Sequence, residues 1–193
     1  MKKLNISPLY LIGLTTLIGF PLLAWAVVAI VRVWFNQYYP NQLIDMFHIS
    51  HQYYYLIPVF TSVGIMFGLF VIWLTELEYF EKSLSKYKNL LSHYKLNTFL
   101  VVFLSVCAAV GEEIFFRGAL QPIIGIWATS IFFVAIHGYF SIKDKRINIF
   151  AVLLTFFIAL IGWAAQTYSI WLAIAAHFSY DLVLLFYYKH EQD

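Results

Sequence analysis

The sequence AVGEEIFFRG (residues 109–118) places two carboxylates and a guanidinium inside an apolar run that extends from about Thr98 to Ile124. A charged side chain within a membrane segment is costly, so such residues are rare and usually functional. Glu113 and Arg117 are four residues apart, share one face of a helix and are spaced to pair. Glu112 lies about 100° round the helix from Glu113. We therefore interpret Glu113–Arg117 as a structural pair and Glu112 as a carboxylate left for chemistry.

The composition indicates a helical integral membrane protein. Of the 193 residues, 62% are hydrophobic and only 11% are charged, whereas soluble domains carry roughly 25% charged residues. The net charge of +2 is too small to suggest a nucleic-acid partner. The hydrophobic composition makes the lipid bilayer the expected surroundings. The lone Cys107 has no disulfide partner in the chain and is interpreted as a small packed side chain.

Apolar stretches of spanning length predict an all-α, polytopic membrane bundle of about six transmembrane helices. The segment 76–95 is amphipathic and predicts a helix on the cytoplasmic membrane surface or a cytoplasmic extension of a span. The N-terminus imitates a signal peptide, but its apolar run continues to Phe35, so we expect an uncleaved first helix. One domain, residues 1–193, accounts for the chain. The six predicted spans are residues 9–35, 55–75, 97–121, 126–140, 147–164 and 168–188.

The basic residues predict the orientation. Ten of the twelve Lys and Arg residues fall at the N-terminus, in residues 76–97, in residues 141–146 or at the C-terminus. Six spans place all four regions on one side, which the positive-inside rule identifies as the cytoplasm. The exceptions are Arg32 and Arg117. We therefore expect both termini in the cytoplasm.

Three ionisable side chains from separate predicted spans are expected at a similar membrane depth. Helical rise places Glu112 roughly 16 Å before the turn near residue 123, and His137 roughly 21 Å after it. His177 stands roughly 16 Å beyond the turn near residue 166, with Asp181 one turn further on the same face. A lone histidine in a membrane helix is often only a hydrogen-bonding residue. One unpaired glutamate and two histidines at one depth instead indicate a site.

The three motifs together resemble the CPBP family. Their order along the chain is Glu112-Glu113-x-x-x-Arg117, then Phe133-x-x-x-His137, then His177-x-x-x-Asp181. That family comprises type II CAAX prenyl endopeptidases and bacteriocin-processing or bacteriocin-immunity proteins, also called Abi. The resemblance covers roughly residues 98–188, which it identifies as a catalytic core; residues 1–97 carry no feature specific to the family.

The resemblance implies an intramembrane endopeptidase that cleaves a peptide or membrane-protein substrate. It assigns Glu112 to water activation with help from His137, and it places His177 and Asp181 at the oxyanion. Glu113, Arg117 and Phe133 are expected to support these residues. The family is also labelled a metalloprotease, and Glu112, His137 and His177 could hold zinc in a three-ligand open site. No HExxH helix is present, and we favour the mechanism without a metal cofactor.

Asp181 departs from the family pattern, which often has Asn at this position. An ionised Asp would repel an oxyanion, so Asp181 is expected to be protonated, turned toward His177 or bound to metal, and His177 becomes the favoured donor. The compact size suggests a bacterial source and the plasma membrane, where prenylated substrates are not expected. Two alternatives remain open: a non-catalytic immunity or peptide-binding protein on the same scaffold, and a small proton-coupled transporter.

Overall fold

The computed structural model describes residues 8–35 and 42–192, and it consists of helices and short connections. The predicted all-α polytopic bundle with an additional amphipathic helix is confirmed. The basic residues Lys2 and Lys3 and the first part of the polar loop after Phe35 lie outside the described residues. The α-helices are α1 Pro8–Phe35, α2 Gln42–Asp45, α3 Leu56–Glu76, α4 Glu78–Ser92, α5 Thr98–Phe115, α6 Gln121–Ile136, α7 Lys145–Thr167 and α8 Ile170–His190.

The described residues contain five stretches long and apolar enough to cross a membrane, rather than six. The third and fourth predicted spans form one continuous stretch, Thr98–Ile136, because a π-helical turn at Phe116–Leu120 joins α5 to α6. Gly125 interrupts this stretch with φ 80° and ψ 169°, a conformation that is readily accessible only to glycine. The bend lets the rest of α6 turn back along the π-helical turn, so that His137 reaches Glu112 of α5.

Glycines permit the close helix packing that fixes the bundle. A Cβ atom at Gly64 of α3 would overlap the Ala176 carbonyl of α8, and one at Gly111 of α5 would overlap the Thr16 carbonyl of α1. Small residues allow such backbone contact between helices in a membrane, where packing replaces the hydrophobic effect as the main attraction. Two helix pairs, α1 with α5 and α3 with α8, are thereby held together. Contacts between α5 and α8 join the two pairs.

Helix α4 is amphipathic, as predicted, and packs against the bundle through a short apolar face. Phe80 and Leu84 are buried, and Arg146 at the start of α7 lies 5.1 Å from the centre of the Tyr79 ring. At the end of α3, Leu77 is extended, so α4 leaves α3 through a non-helical joint. The helix therefore covers one end of the bundle without being continuous with a span.

Replacing Asp144 with Ala is expected to lower the melting temperature of the protein. Asp144 caps α7 by accepting a hydrogen bond from the Arg146 backbone N–H at 3.0 Å. A hydrogen bond from the Ser83 hydroxyl of α4 holds the pKa of Asp144 below its ordinary value. The carboxylate therefore stabilises the fold above its unfolded pKa, and this contribution is lost as the pH falls through the lower folded pKa.

Thermal unfolding in detergent at neutral pH measures this effect, with Asp144→Asn as the matched control. Asparagine caps helices about as well as aspartate, so the Asn variant is expected to unfold close to the wild-type temperature. Equal melting temperatures for the Ala variant and the wild type would contradict the capping role.

Candidate active site

Glu112 and His137 face each other across the bend between α5 and α6. The Glu112 Oε2 atom is 3.6 Å from His137 Nε2, which is too long for a direct hydrogen bond. Among the described residues this oxygen is buried and has no hydrogen-bond partner. The structure therefore brings together the two residues that the sequence assigns to water activation. The 3.6 Å gap leaves both atoms close enough to contact one water molecule.

The backbone fixes the tautomer of His137. Its Nδ1 atom lies 2.7 Å from the Phe133 carbonyl oxygen. A carbonyl oxygen only accepts, so Nδ1 must carry the proton that it donates. In the neutral ring, Nε2 is therefore an acceptor that faces Glu112. Two acceptors directed at one place favour a molecule that donates two hydrogens, as water does.

Glu113 connects α5 to α8 from the centre of a buried charged cluster. Arg117 Nε donates to Glu113 Oε2 at 2.6 Å, as the i,i+4 spacing predicts, and both side chains are almost fully buried. The other carboxylate oxygen, Oε1, lies 2.9 Å from His177 Nδ1. Glu113 therefore neutralises Arg117 and also orients His177. The sequence predicts only the first of these two contacts.

Asp181 lies near the other side of the His177 ring. Its Oδ2 atom is 3.5 Å from His177 Nε2, whereas Glu113 is at hydrogen-bond distance from Nδ1. Of the two carboxylates beside the ring, Glu113 therefore makes the shorter contact. With a carboxylate beside each nitrogen, the ring is suited to carry a proton on both. The Asp181 carboxylate is turned toward His177, which is one of the three states expected for it.

Phe133 fills the space between the two histidines. Its ring stacks on His137 with centroids 4.4 Å apart, and it meets His177 nearly edge-on at 5.8 Å. Phe116 packs against Phe133 from the π-helical turn at 4.8 Å. The side chain is buried. Phe133 therefore contacts the rings of both histidines.

The donor set does not fit the three-ligand zinc site that the sequence admits. Among residues 8–35 and 42–192, no group of three or more His, Cys, Asp or Glu side chains is arranged to hold a metal ion. His177 contacts Glu113 through Nδ1 and Asp181 through Nε2. Glu112 and His137 approach each other, but His177 does not complete a triad with them.

A largely apolar cavity of about 360 Å³ leads to the candidate site. Glu112 and Asp181 are the two carboxylates in its lining. The walls come from the core motifs and also from the first half of the chain: Ile12 and Thr16 of α1, Val71 and Thr75 of α3, and Leu84 of α4. Such a lining suits an extended apolar ligand whose polar group reaches the carboxylates. Residues before the motif region thus contribute to the shape of the cavity, although no motif in the sequence marks them.

Gln121, which no motif in the sequence marks, also belongs to the buried cluster. Its side chain is buried, accepts from Arg117 Nη1 at 3.2 Å and donates to the Gly162 carbonyl at 2.9 Å. The signal was present in the sequence, because Gln121 follows Arg117 by four residues, as Arg117 follows Glu113. The spacing does not indicate, however, that the backbone of Gly162 on α7 is the other partner of Gln121.

Part of the chain is similar to known proteins. Residues 94–183 match the model of a family described as type II CAAX prenyl endopeptidase Rce1-like. The uncharacterized protein YpbD of Bacillus subtilis (strain 168) is 33% identical over 84 residues, which is 43% of this chain and 42% of YpbD. The chain thus aligns with less than half of this curated relative. No solved structure matches the chain significantly.

The matched residues 94–183 contain every motif residue of the site, from Glu112 to Asp181. The family is one of proteases, and its model covers a little under half of the chain. Five helices of the described part are long and apolar enough to cross a membrane, so the chain is an integral membrane protein. The resemblance inferred from the three motifs is confirmed over residues 94–183, which match the model of the Rce1-like type II CAAX prenyl endopeptidase family.

Proposed function

We propose that the protein is an intramembrane endopeptidase in which Glu112 activates a water molecule held between itself and His137. The contact that carries this proposal is the one between Glu112 Oε2 and His137 Nε2, at 3.6 Å. The carboxylate accepts a proton from water as the oxygen attacks the substrate's peptide carbonyl. When the C–N bond breaks, the proton passes to the leaving amine. No metal ion or other cofactor is required for this sequence of steps.

His177 is the proposed oxyanion donor. Glu113 holds its Nδ1 side at 2.9 Å, so the Nε2 side is directed away from that pair and toward Asp181. A protonated Nε2 can donate to the negative oxygen of the tetrahedral intermediate. The buried Arg117–Glu113 pair keeps the ring in one orientation before substrate arrives. Donors that are already oriented need no rearrangement at the moment of reaction.

The proposed substrate is an apolar peptide or the membrane-embedded end of another protein. The supporting observation is the cavity of about 360 Å³ that runs from α1, α3 and α4 to Glu112 and Asp181. Residues 98–188 form the proposed catalytic core, and α1, α3 and α4 shape the approach to it. The bacterial plasma membrane with cytoplasmic termini remains the proposed location, because a stretch Thr98–Ile136 that folds back at Gly125 leaves both ends of the chain on one side. A peptide-binding or immunity role would use the same cavity without cleavage.

The His137→Gln variant tests the water-activation site. Glutamine keeps a polar side chain of similar reach, but its amide cannot take up and release a proton as the imidazole can. Cleavage is expected to fall by roughly a hundredfold to ten-thousandfold, the range for loss of an acid–base group. The assay incubates the purified protein in lipid vesicles with a library of membrane-spanning peptides and identifies new termini by mass spectrometry.

His190→Gln provides the matched control, because His190 lies at the exposed end of α8. The control is expected to cleave like the wild type. Equal cleavage by His137→Gln and the wild type would overturn the assignment. Peptide retention without new termini in wild-type samples would favour the binding-protein alternative. A parallel reaction with a metal chelator is expected to proceed unchanged.

A further inference from the structure

A chain of polar contacts extends the candidate site across the bundle to α7. Starting from α8, His177 contacts Glu113 at 2.9 Å, and Glu113 contacts Arg117 at 2.6 Å. Arg117 Nη1 then donates to Gln121 Oε1 at 3.2 Å, and Gln121 Nε2 donates to the Gly162 backbone carbonyl at 2.9 Å. The last of these contacts anchors the series of polar side chains to a backbone atom. A backbone carbonyl inside a regular helix is a fixed point that no side-chain rotation displaces.

We infer that Gln121 is a positioning residue for the proposed reaction, acting through Arg117 and Glu113 on His177. The expected effect of Gln121 on cleavage rests on the proposed function, whereas its expected effect on the position of His177 does not. Arg117 is long and flexible, and Glu113 holds it only through Nε. Gln121 adds a second fixed contact at Nη1. Two contacts on different nitrogens define the plane of the guanidinium, whereas a single contact leaves it free to rotate.

The local backbone places Gln121 where it can do this. The π-helical turn covers Phe116–Leu120, and the Gln121 N–H bonds to the Phe116 carbonyl five residues earlier. An extra residue in a helical turn rotates the side chains that follow it, and such turns are frequent at functional sites. Here Arg117 and Gln121 still share a face, and that face turns toward α7. The turn therefore allows the residue after the motif to join the motif's ion pair to another helix.

Glycine at position 162 is part of the same arrangement. A Cβ atom at this position would lie 2.6 Å from Gln121 Oε1 and 2.9 Å from Arg117 Nη1. Both approaches are tighter than real Cβ contacts allow, so a larger residue would displace the two polar groups. The exposed Gln166 also accepts from Gln121 Nε2, at 3.2 Å, but it does not touch Arg117 in this network. A substitution at Gly162 is thus expected to disturb Arg117, whereas a substitution at Gln166 is expected to leave Arg117 in place.

The experiment compares Gln121→Met with the wild type and with Gln166→Ala. Methionine keeps the length and volume of glutamine but offers Arg117 no carbonyl oxygen. The first readout is the protonation of His177 in the protein labelled with ¹⁵N-histidine and embedded in lipid, with the signal assigned through a His177→Gln sample. Wild type and Gln166→Ala are expected to show Nδ1 protonated and bonded. Gln121→Met and Gly162→Ala are expected to shift that signal or split it into several.

The second readout is cleavage, on the same peptide library. Gln121 does not line the apolar cavity, so its loss is expected to lower kcat and leave KM unchanged. The expected decrease is between about tenfold and a hundredfold, the effect of small displacements at a catalytic site. In an Arg117→Met background, the Gln121→Met change is expected to have almost no further effect, because residues of one network are not additive.

The two readouts separate this inference from the proposed function. An unchanged His177 signal in Gln121→Met would overturn the positioning role, whether or not cleavage is found. A shifted signal in a wild-type-like fold, with no cleavage by any sample, would support the positioning of His177 while counting against the endopeptidase. Equal kcat losses from Gln121→Met in the wild-type and Arg117→Met backgrounds would also contradict the inference, since they would show an effect that does not pass through Arg117.

Discussion

Replacing Glu112 with Gln is expected to abolish proteolysis while leaving the protein folded. The amide has nearly the same shape as the carboxylate, but it cannot take a proton from water. The rate is expected to fall by about a hundredfold to ten-thousandfold. Glu112 Oε2 has no hydrogen-bond partner among the described residues, so the substitution breaks no bond that stabilises the bundle. Yield and melting temperature are therefore expected to stay near wild-type values.

The measurement is the appearance of new peptide termini in lipid vesicles, normalised to folded protein. Glu78→Gln is a matched control, because Glu78 is exposed in the first turn of α4 and lies outside the cavity lining. Glu112→Asp adds a distance test: it retains a base but withdraws it by one methylene from His137. Wild-type rates in Glu112→Gln would show that another group activates the water, and the proposed mechanism would fail.

The neighbouring substitution, Glu113→Ala, is expected to have the opposite profile and to destabilise the fold strongly. Its carboxylate contacts both Arg117 and His177, and its side chain is fully buried. Removing one partner of a buried ion pair leaves an uncompensated charge, which typically costs about 3–5 kcal/mol. Expression is expected to fall, and the melting temperature is expected to lie well below that of Glu112→Gln.

Two adjacent glutamates therefore provide a controlled comparison within one helix. Thermal unfolding of both variants in the same detergent measures the difference directly. A double variant, Glu113→Leu with Arg117→Met, is expected to be more stable than Glu113→Ala, because it removes both charges together. Similar melting temperatures for Glu112→Gln and Glu113→Ala would contradict the assignment of Glu113 as the centre of the buried cluster.

The contrast between these residues shows which features of the site the sequence could supply. The i,i+4 spacing of Glu113 and Arg117 is a local property of a helix, and it predicts their contact directly. The isolation of Glu112 follows from the same geometry. Helical rise also predicts a similar depth for Glu112, His137 and His177; in the structure Glu112 lies 3.6 Å from His137, and the Phe133 ring contacts both histidine rings. Local periodicity was sufficient for each of these inferences.

Contacts between helices that are far apart in the sequence could not be predicted from local periodicity. The bond between Glu113 and His177 depends on the rotation of α8 relative to α5, which no spacing in the sequence specifies. The count of spans differed because Gly125 bends a continuous helical stretch rather than ending it. The cavity draws its walls partly from α1 and α3, whose residues carry no motif. Packing of these helices depends on side-chain shape over many positions, and a motif contains little of that information.

The bend at Gly125 also has a consequence for biosynthesis. The stretch Thr98–Ile136 contains 39 residues, so a straight helix of that length would measure about 58 Å, nearly twice the bilayer's hydrocarbon thickness. Its first half carries Glu112, Glu113 and Arg117, and each charged residue near the centre of a helix opposes insertion by about 2.5–3.5 kcal/mol. The second half is uncharged up to His137. If the two halves enter the bilayer together as a hairpin, the favourable insertion of the apolar second half can offset the cost of inserting the charged first half. Pairing of Arg117 with Glu113 lowers that cost further. Gly125 thus links the position of His137 to the way in which the growing chain enters the membrane.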